Sequence, residues 1–342
     1  MAGLNARDCL QKPQDILRWS GVVLVQGEEP YFTDCIGDQL ETRYVPEQAR
    51  DFNQNVLYGK ECDAEQILSA AKLFPFMAEH RLVLVREAQQ LADKEWEKLT
   101  NYLQNPLPST LLVFLYRGKN FDRRKKAYKT LEQKGLVVQS DPLKDKALDA
   151  WLDETVVQRG YRLNPKAKAL LLEFVGNNPE LLASEIEKLS LNLSQGQTIE
   201  PEHIEKFVGI SREYNVFELQ DALGEQDATR ALRLAVYLGQ QPKASNFSLP
   251  LCVGTLYAFY QKVALVHDSQ DSAPQALASL LGVHPYFVTA YRKYARTLRP
   301  SRIRRCLRVL MEFDLKAKGV GQGGLVPEAE LTREMITKLL LD

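Results

Sequence analysis

A glycine that closes an apolar run and opens a helix is where many α/β proteins hold phosphate, and VVLVQGEEPYF (22–32) has that form. A working phosphate loop reads G-x-x-x-x-G-K-[ST]: amides cradle the phosphates, the lysine neutralises them and the hydroxyl holds Mg²⁺. Here Gly27 is followed by Glu28, Glu29 and Pro30. The carboxylates repel a triphosphate, and the proline has no amide to donate. Gly37, further on, precedes Asp38 rather than a lysine. Nucleotide hydrolysis also needs an acid pair at a strand end, one for Mg²⁺ and one for the attacking water. RLVLVREAQQL (81–91) places Arg86 before Glu87, a cation where a metal would sit. Gly27, Glu28 and Glu29 are therefore expected to form a phosphate-loop position that binds no nucleotide. No Ser/His/Asp or Cys/His grouping carries a local signature. The five cysteines are scattered without a CxxC and the four histidines lie far apart, so neither a metal centre nor a disulfide framework is expected. No catalytic residue, metal or cofactor emerges.

The residues that remain are suited to binding. In AAKLFPFM (70–77), a helix capped by Asp63 carries apolar residues at Ile67, Leu68, Ala71 and Leu73, then breaks at Pro75. Leu73, Phe74, Phe76 and Met77 cannot all face inward from one helix end. They either pack on their own domain or form an exposed plug for a partner's pocket. Two basic clusters stand out: RGKNFDRRKK (117–126), with Arg123, Arg124, Lys125 and Lys126, and 291–310, with Arg302, Arg304 and Arg305. The second holds eight Lys or Arg and no acid. Each reads as a solvated helix face, or as a contact with DNA phosphates or an acidic subunit. Tyr291 and Tyr294 fit helical core spacing and base stacking equally.

The elements that position these residues fall into two styles. Up to about residue 140, strand-like runs at 22–25, 52–57, 82–85, 111–116 and 136–138 alternate with helical stretches at 31–44, 64–73, 94–103 and 122–133. Near-continuous apolar strands between helices predict a parallel sheet covered on both faces. After Asp141-Pro142 the strands are expected to stop. Asn164-Pro165 and Asn178-Pro179 start helices, each with a cap followed by proline in the first turn, and the pattern stays helical to the end. GVGQGGLVPEAE (319–330) reads as a flexible connection. The chain of 342 residues is 45% apolar, with 44 Lys plus Arg against 44 Asp plus Glu, so any nucleic-acid footprint is local. No signal-peptide pattern and no uninterrupted apolar run of membrane length is present, which predicts a cytoplasmic chain outside the membrane.

These pieces resemble the delta subunit of bacterial DNA polymerase III, the clamp-loader subunit of a degenerate AAA+ family. The resemblance rests on VVLVQGEEPYF, KLFPFMAEHRLVLVREAQQL, GNNPELLASEIEKLSL, VFELQDALGEQDATRALRLAVYL, LLGVHPYFVTAYRKYAR and MEFDLKAKG, in the family's order along nearly the whole chain. It implies an AAA+-like α/β domain over 1–140, a small helical lid over 141–211 and a helical collar over 212–342. It implies a non-catalytic subunit of the DNA polymerase III holoenzyme that binds the sliding clamp (beta subunit) and opens the ring. Its partners would be the ATPase and delta-prime subunits of a five-subunit loader, and primed DNA through the complex. The family's clamp-contacting Leu-Phe pair falls on Leu73 and Phe74, with Phe76 and Met77 beside it. An active AAA+ clamp-loader ATPase would need the missing lysine. A stand-alone helical nucleic-acid adaptor would bind DNA without a clamp.

Overall fold

β-branched and leucine runs buried on both faces form the centre of the first folding unit, which spans Met1–Lys144. The computed structural model describes residues 4–144, 146–208, 211–240, 248–269, 272–320 and 326–341. Six strands, β1 (Leu4–Asn5), β2 (Gly21–Gly27), β3 (Gln54–Tyr58), β4 (Arg81–Arg86), β5 (Thr110–Arg117) and β6 (Leu136–Gln139), pair in the order β1-β6-β2-β5-β4-β3. Every pairing is parallel. Between them run α1 (Ala6–Gln11), α2 (Pro13–Ile16), α3 (Pro30–Arg43), α4 (Arg50–Asn53), α5 (Ala64–Ala71), α6 (Asp93–Gln104) and α7 (Lys126–Lys134).

Strand side chains alternate between two helical layers. Val22, Leu24, Val83, Val85, Leu112 and Phe114 share a core with Ile67 of α5, Trp96 and Leu99 of α6, and Tyr128 and Leu131 of α7. Val23, Val25, Leu82, Leu84, Val113 and Leu115 are as deeply buried on the other face, where α3 contributes Phe32, Ile36 and Leu40. A Cβ on Gly37 would stand 2.5 Å from Leu115 Cδ1, so this glycine lets α3 lie close to the sheet.

Three boundaries differ from the sequence reading. Residues 50–53 form the single turn α4, so the strand starts at Gln54 rather than Phe52. Asp122 accepts the Arg124 amide in a turn, which delays α7 to Lys126. The helix expected over 64–73 stops at Ala71. One more turn would have used the carbonyls of Ala70 and Ala71 for residues 74 and 75, and Pro75 has no amide. Arg81 Nε (3.0 Å) takes the Ala70 carbonyl and the Tyr102 hydroxyl (3.1 Å) takes that of Ala71. The β1–α1–α2 segment was not anticipated.

The second unit, Asp145–Asp342, is helical: α8 (Lys146–Gln158), α9 (Pro165–Phe174), α10 (Pro179–Asn192), α11 (Pro201–Phe207), α12 (Ser211–Gly224), α13 (Ala228–Gln240), α14 (Leu249–Asp268), α15 (Pro274–Leu281), α16 (Val288–Thr297), α17 (Pro300–Ala317) and α18 (Glu328–Leu340). The strands do not stop entirely at 142: β7 (Arg162–Leu163) pairs in parallel with β8 (Thr198–Ile199). Two residues from each side suffice to satisfy backbone groups flanking Asn164 and Glu200, whose side chains also bond at 2.7 Å. The expected boundary at 211/212 lies beside residues 209 and 210, and the expected glycine-rich connection includes 321–325. Both sets lie outside the described residues. By length and composition α14 alone among the described helices could cross a membrane. It packs instead against α12, α16 and α17, with Leu256, Phe259, Tyr260 and Val263 buried.

The start of α5 is anchored twice. Asp63 and Gln66 form a reciprocal capping box, and the buried Glu95 accepts the Ala64 amide at 2.9 Å. That bond, with the ammonium of Lys98 at 3.2 Å, holds the Glu95 carboxyl below its ordinary pKa. A depressed folded-state pKa contributes stability above the ordinary carboxylate range and loses it as pH falls through the folded value. Urea midpoints measured from about pH 5 to pH 3 should therefore fall less steeply for Glu95→Gln than for the parent chain.

Candidate functional site: an outward apolar turn and a closed phosphate loop

Two candidate sites lie at opposite ends of the sheet. The first sits where β3 and β4 begin. Beyond the end of α5, Leu73 (53%), Phe74 (77%), Phe76 (58%) and Met77 (88%) are all exposed, so these four do not pack into the core of their own domain. Met77 adopts φ = 54°, the left-handed region rare for L-residues. Phe52, an exposed residue of α4, meets Phe76 edge to face with ring centroids 5.6 Å apart.

Beneath this surface lie two buried polar side chains. Asn53 Oδ1 accepts the Phe76 amide and its Nδ2 donates to the Phe76 carbonyl, both at 2.7 Å. The same Nδ2 donates to the Ala49 carbonyl at 2.9 Å. Arg81, 5% exposed, donates to the carbonyls of Ala70 (3.0 Å) and Phe52 (2.6 Å) and to Asn55 Oδ1 (2.6 Å). Desolvation lowers the Arg81 pKa, and an arginine remains charged even so. The polar interior at this end is thus committed to the backbone that carries the exposed apolar residues.

The second place is at the carboxyl ends of the central strands, where open α/β sheets bind ligands. The Glu29 amide donates to the Ser140 carbonyl at 3.0 Å, and the Gly27 amide to that of Lys119 at 3.3 Å. The Tyr31 amide is held by Glu29's own carboxylate at 3.0 Å, which caps α3. Ser140 returns two bonds of 2.6 Å, from its hydroxyl to the Glu29 carbonyl and from its amide to the Gln26 carbonyl. The amides of Gly27, Glu29 and Tyr31 are thus occupied within the chain, and Glu28 projects from the loop exposed. Arg86 at the end of β4 reaches Asp38 and Glu41 of α3, each at 2.7 Å. An internal ion pair thus fills the place of a metal-binding acid. Glu87 is half-buried with φ = 51°.

The basic clusters are more internally engaged than their sequence suggests. Arg124 pairs with Asp122 at 2.8 Å, and its hydrogen bonds hold the Asp122 pKa at about 2. Lys125 pairs with Asp93 at 2.5 Å and lies over the Phe121 ring. Arg123 and Lys126 are exposed. In the second unit, Arg302 donates to the Leu340 carbonyl at 2.9 Å, while Arg304 is exposed. Arg302 and Arg305 line an open cavity of about 490 Å³ together with Arg299 and Gln226. Tyr291 and Tyr294 are buried beside Phe259, and the Tyr294 hydroxyl donates to Asp221 at 2.5 Å. Both tyrosines are core residues, not stacking platforms.

Two family patterns match the chain: DNA polymerase III, delta subunit, over residues 24–141, and DNA polymerase III delta subunit, C-terminal domain, over residues 213–325. The chain belongs to the DNA polymerase III delta-subunit family. It is 25% identical over 305 residues to the DNA polymerase III subunit delta of Bacillus subtilis (strain 168), covering 87% of each chain. The structure of a Bacillus subtilis DNA clamp loader delta protein superposes with a TM-score of 0.50 at 22% identity, covering 98% of each chain, and supports the fold. The apolar turn and the closed loop of this delta-family chain both lie within the first matched segment, and Arg302, Arg304 and Arg305 lie within the second.

Sequence reasoning missed Phe52, Asn53 and Arg81. One signal was available: an arginine opening a strand whose next four residues are all apolar. The closed loop yields a prediction. A Cβ on Gly27 (φ = 147°) would stand 1.9 Å from the Ser140 carbonyl oxygen, so backbone must move to admit one. Gly27→Ala should lower unfolding free energy by roughly 2–4 kcal/mol, read from urea denaturation.

Proposed function

We propose that this delta-family chain is the clamp-opening subunit of the loader, and that Leu73 and Phe74 enter an apolar pocket of the sliding clamp with Phe76 and Met77 alongside. The exposed apolar turn after α5 carries this reading. An apolar group of this size outside the core marks a surface for a partner. Burial of a leucine and a phenylalanine contributes about 1.5–3 kcal/mol each, enough to dominate a transient interface. The turn is presented by a rigid sheet end rather than a loose loop, which lowers the ordering cost of association.

In this reading the chain makes and breaks no bond. ATP bound by other loader subunits shifts the assembly so that the turn reaches the clamp. Binding favours the interface geometry of the open ring, so differential affinity offsets the cost of opening. The occupied amides of Gly27 and Glu29 and the Arg86 ion pairs favour this over an active loader ATPase. The lid over 141–211 and the collar over 212–342 would seat the chain beside its ATPase and delta-prime partners. Exposed Arg123, Lys126 and Arg304, and the arginines of the second-unit cavity, would meet phosphates of primed DNA or a neighbouring subunit. A stand-alone nucleic-acid adaptor would bind DNA steeply with salt and indifferently to the apolar turn.

Equilibrium binding of the full chain to its cognate sliding clamp separates these readings. Leu73→Ala/Phe74→Ala should weaken binding by about 100-fold or more while circular dichroism and urea midpoint stay near the parent's, because both side chains are already exposed. Unchanged affinity in the folded double variant would move the contact elsewhere.

A further inference from the structure

We infer that Phe52, supplied by α4, is a contact residue of the clamp-docking surface, and that Asn53 is the positioning residue that holds Phe52 and the 73–77 segment as one patch. The inference rests on the clamp-opening reading above and extends it to a second segment of chain.

Phe52 is 61% exposed although the adjoining Asn53 is fully buried. Its ring does not cover the sheet; its ring partner is Phe76, itself 58% exposed. Two phenyl groups from segments more than twenty residues apart therefore stand together facing solvent. The bonds that bring them there are unusually committed. Asn53 grips both the amide and the carbonyl of Phe76, and Arg81 Nη1 donates to the Phe52 carbonyl. A buried amide or guanidinium costs stability unless bonded. Here the bonds that meet this demand fix the main chain beneath the outward rings.

The patch has the anatomy of a protein-binding surface. Phe52, Leu73, Phe74, Phe76 and Met77 supply apolar area, with the exposed polar residues Asp51, Lys72 and Glu79 next to them in the chain. Aromatic side chains held with few degrees of freedom are the usual anchors of such interfaces. Continuity with Leu73 and Phe74 commits the surface to the same occupant, the clamp. A pocket that receives those two residues would meet Phe52 on the same approach through the Phe52–Phe76 pair.

The test is equilibrium binding of the full chain to the cognate clamp for the parent, Phe52→Ala, Asn53→Ala and the Phe52→Ala/Asn53→Ala double variant, with Leu73→Ala/Phe74→Ala as reference. Phe52→Ala should weaken binding about tenfold with the urea midpoint little changed. Asn53→Ala should weaken it comparably, and the double variant should lose little more than either alone, because Asn53 acts by presenting Phe52 and its neighbours. Hydrogen exchange should show the Phe76 amide losing protection in Asn53→Ala while the amides of β2, β4 and β5 keep theirs. Should Asn53→Ala fail to fold, Asn53→Asp, which retains the acceptor for the Phe76 amide, takes its place. Parental affinity in Phe52→Ala, beside loss in the Leu73/Phe74 reference, overturns the inference and leaves the clamp reading standing. Fully additive losses overturn the role of Asn53. Reduced self-association of Phe52→Ala with unchanged clamp binding assigns the patch to a second copy and overturns the inference. A parent chain that does not bind the clamp overturns both.

Discussion

A buried guanidinium bonded to carbonyl oxygens organises the amino end of the sheet. Arg81 opens β4 and donates to two main-chain carbonyls and one side-chain amide, drawn from α4, α5 and β3. Taking such a cation out of water is costly, and only full hydrogen bonding offsets it. The three segments must therefore end or begin where its donors reach. Three local outcomes follow from this one demand. Helix α5 stops at Ala71, the turn carrying Phe52 is fixed in place, and the segment from 72 to 80 must travel outside the core to return to Arg81. The exposed apolar turn follows from interior chemistry, so its outward position needs no partner to maintain it.

At the other end of the sheet the same logic works to the opposite effect. Helix N-termini and glycine turns attract anions because their amides lack partners. Here the chain supplies those partners itself: the Ser140 and Lys119 carbonyls and the Glu29 carboxylate. Gly27 survives as the one residue type whose lack of a Cβ tolerates Ser140 at that distance. A glycine that elsewhere admits phosphate here admits the chain's own backbone. The sheet thus keeps a parallel α/β architecture with the amides of its phosphate-loop position bonded within the chain and an apolar turn exposed at its far end.

The helical second unit is a separate body built on different physics. Its central helix α14 is apolar enough to resemble a membrane span, yet it is surrounded by α12, α16 and α17. Buried tyrosines line this interior, and their hydroxyls need polar partners such as Asp221, whose own pKa burial raises. The basic residues of 291–310 are all exposed or half-buried, as a solvated face requires, yet some of them are tied to the chain. Among the arginines of α17, Arg302 is tied to the last helix through the Leu340 carbonyl, whereas Arg304 faces solvent.

The sequence by itself determined the class of fold, the family and the loss of a phosphate-binding motif. These reside in local patterns: apolar runs of strand length, caps followed by proline, and a Glu-Glu-Pro where a lysine motif would stand. It also located Leu73, Phe74, Phe76 and Met77 as a group with too much apolar surface for one helix end. What it left open was which side of the boundary they occupy, since a proline break is compatible with folding back or with turning out. Tertiary structure decided this through Asn53, 23 residues before the Phe76 backbone it holds, and through Arg81, whose partners lie on α4, α5 and β3. Their role rests on donors meeting carbonyls across the sheet end, and no periodicity along the chain records such a meeting. The same holds for Phe52, which reads as strand in sequence and becomes an exposed ring once the first turn beside it is pinned.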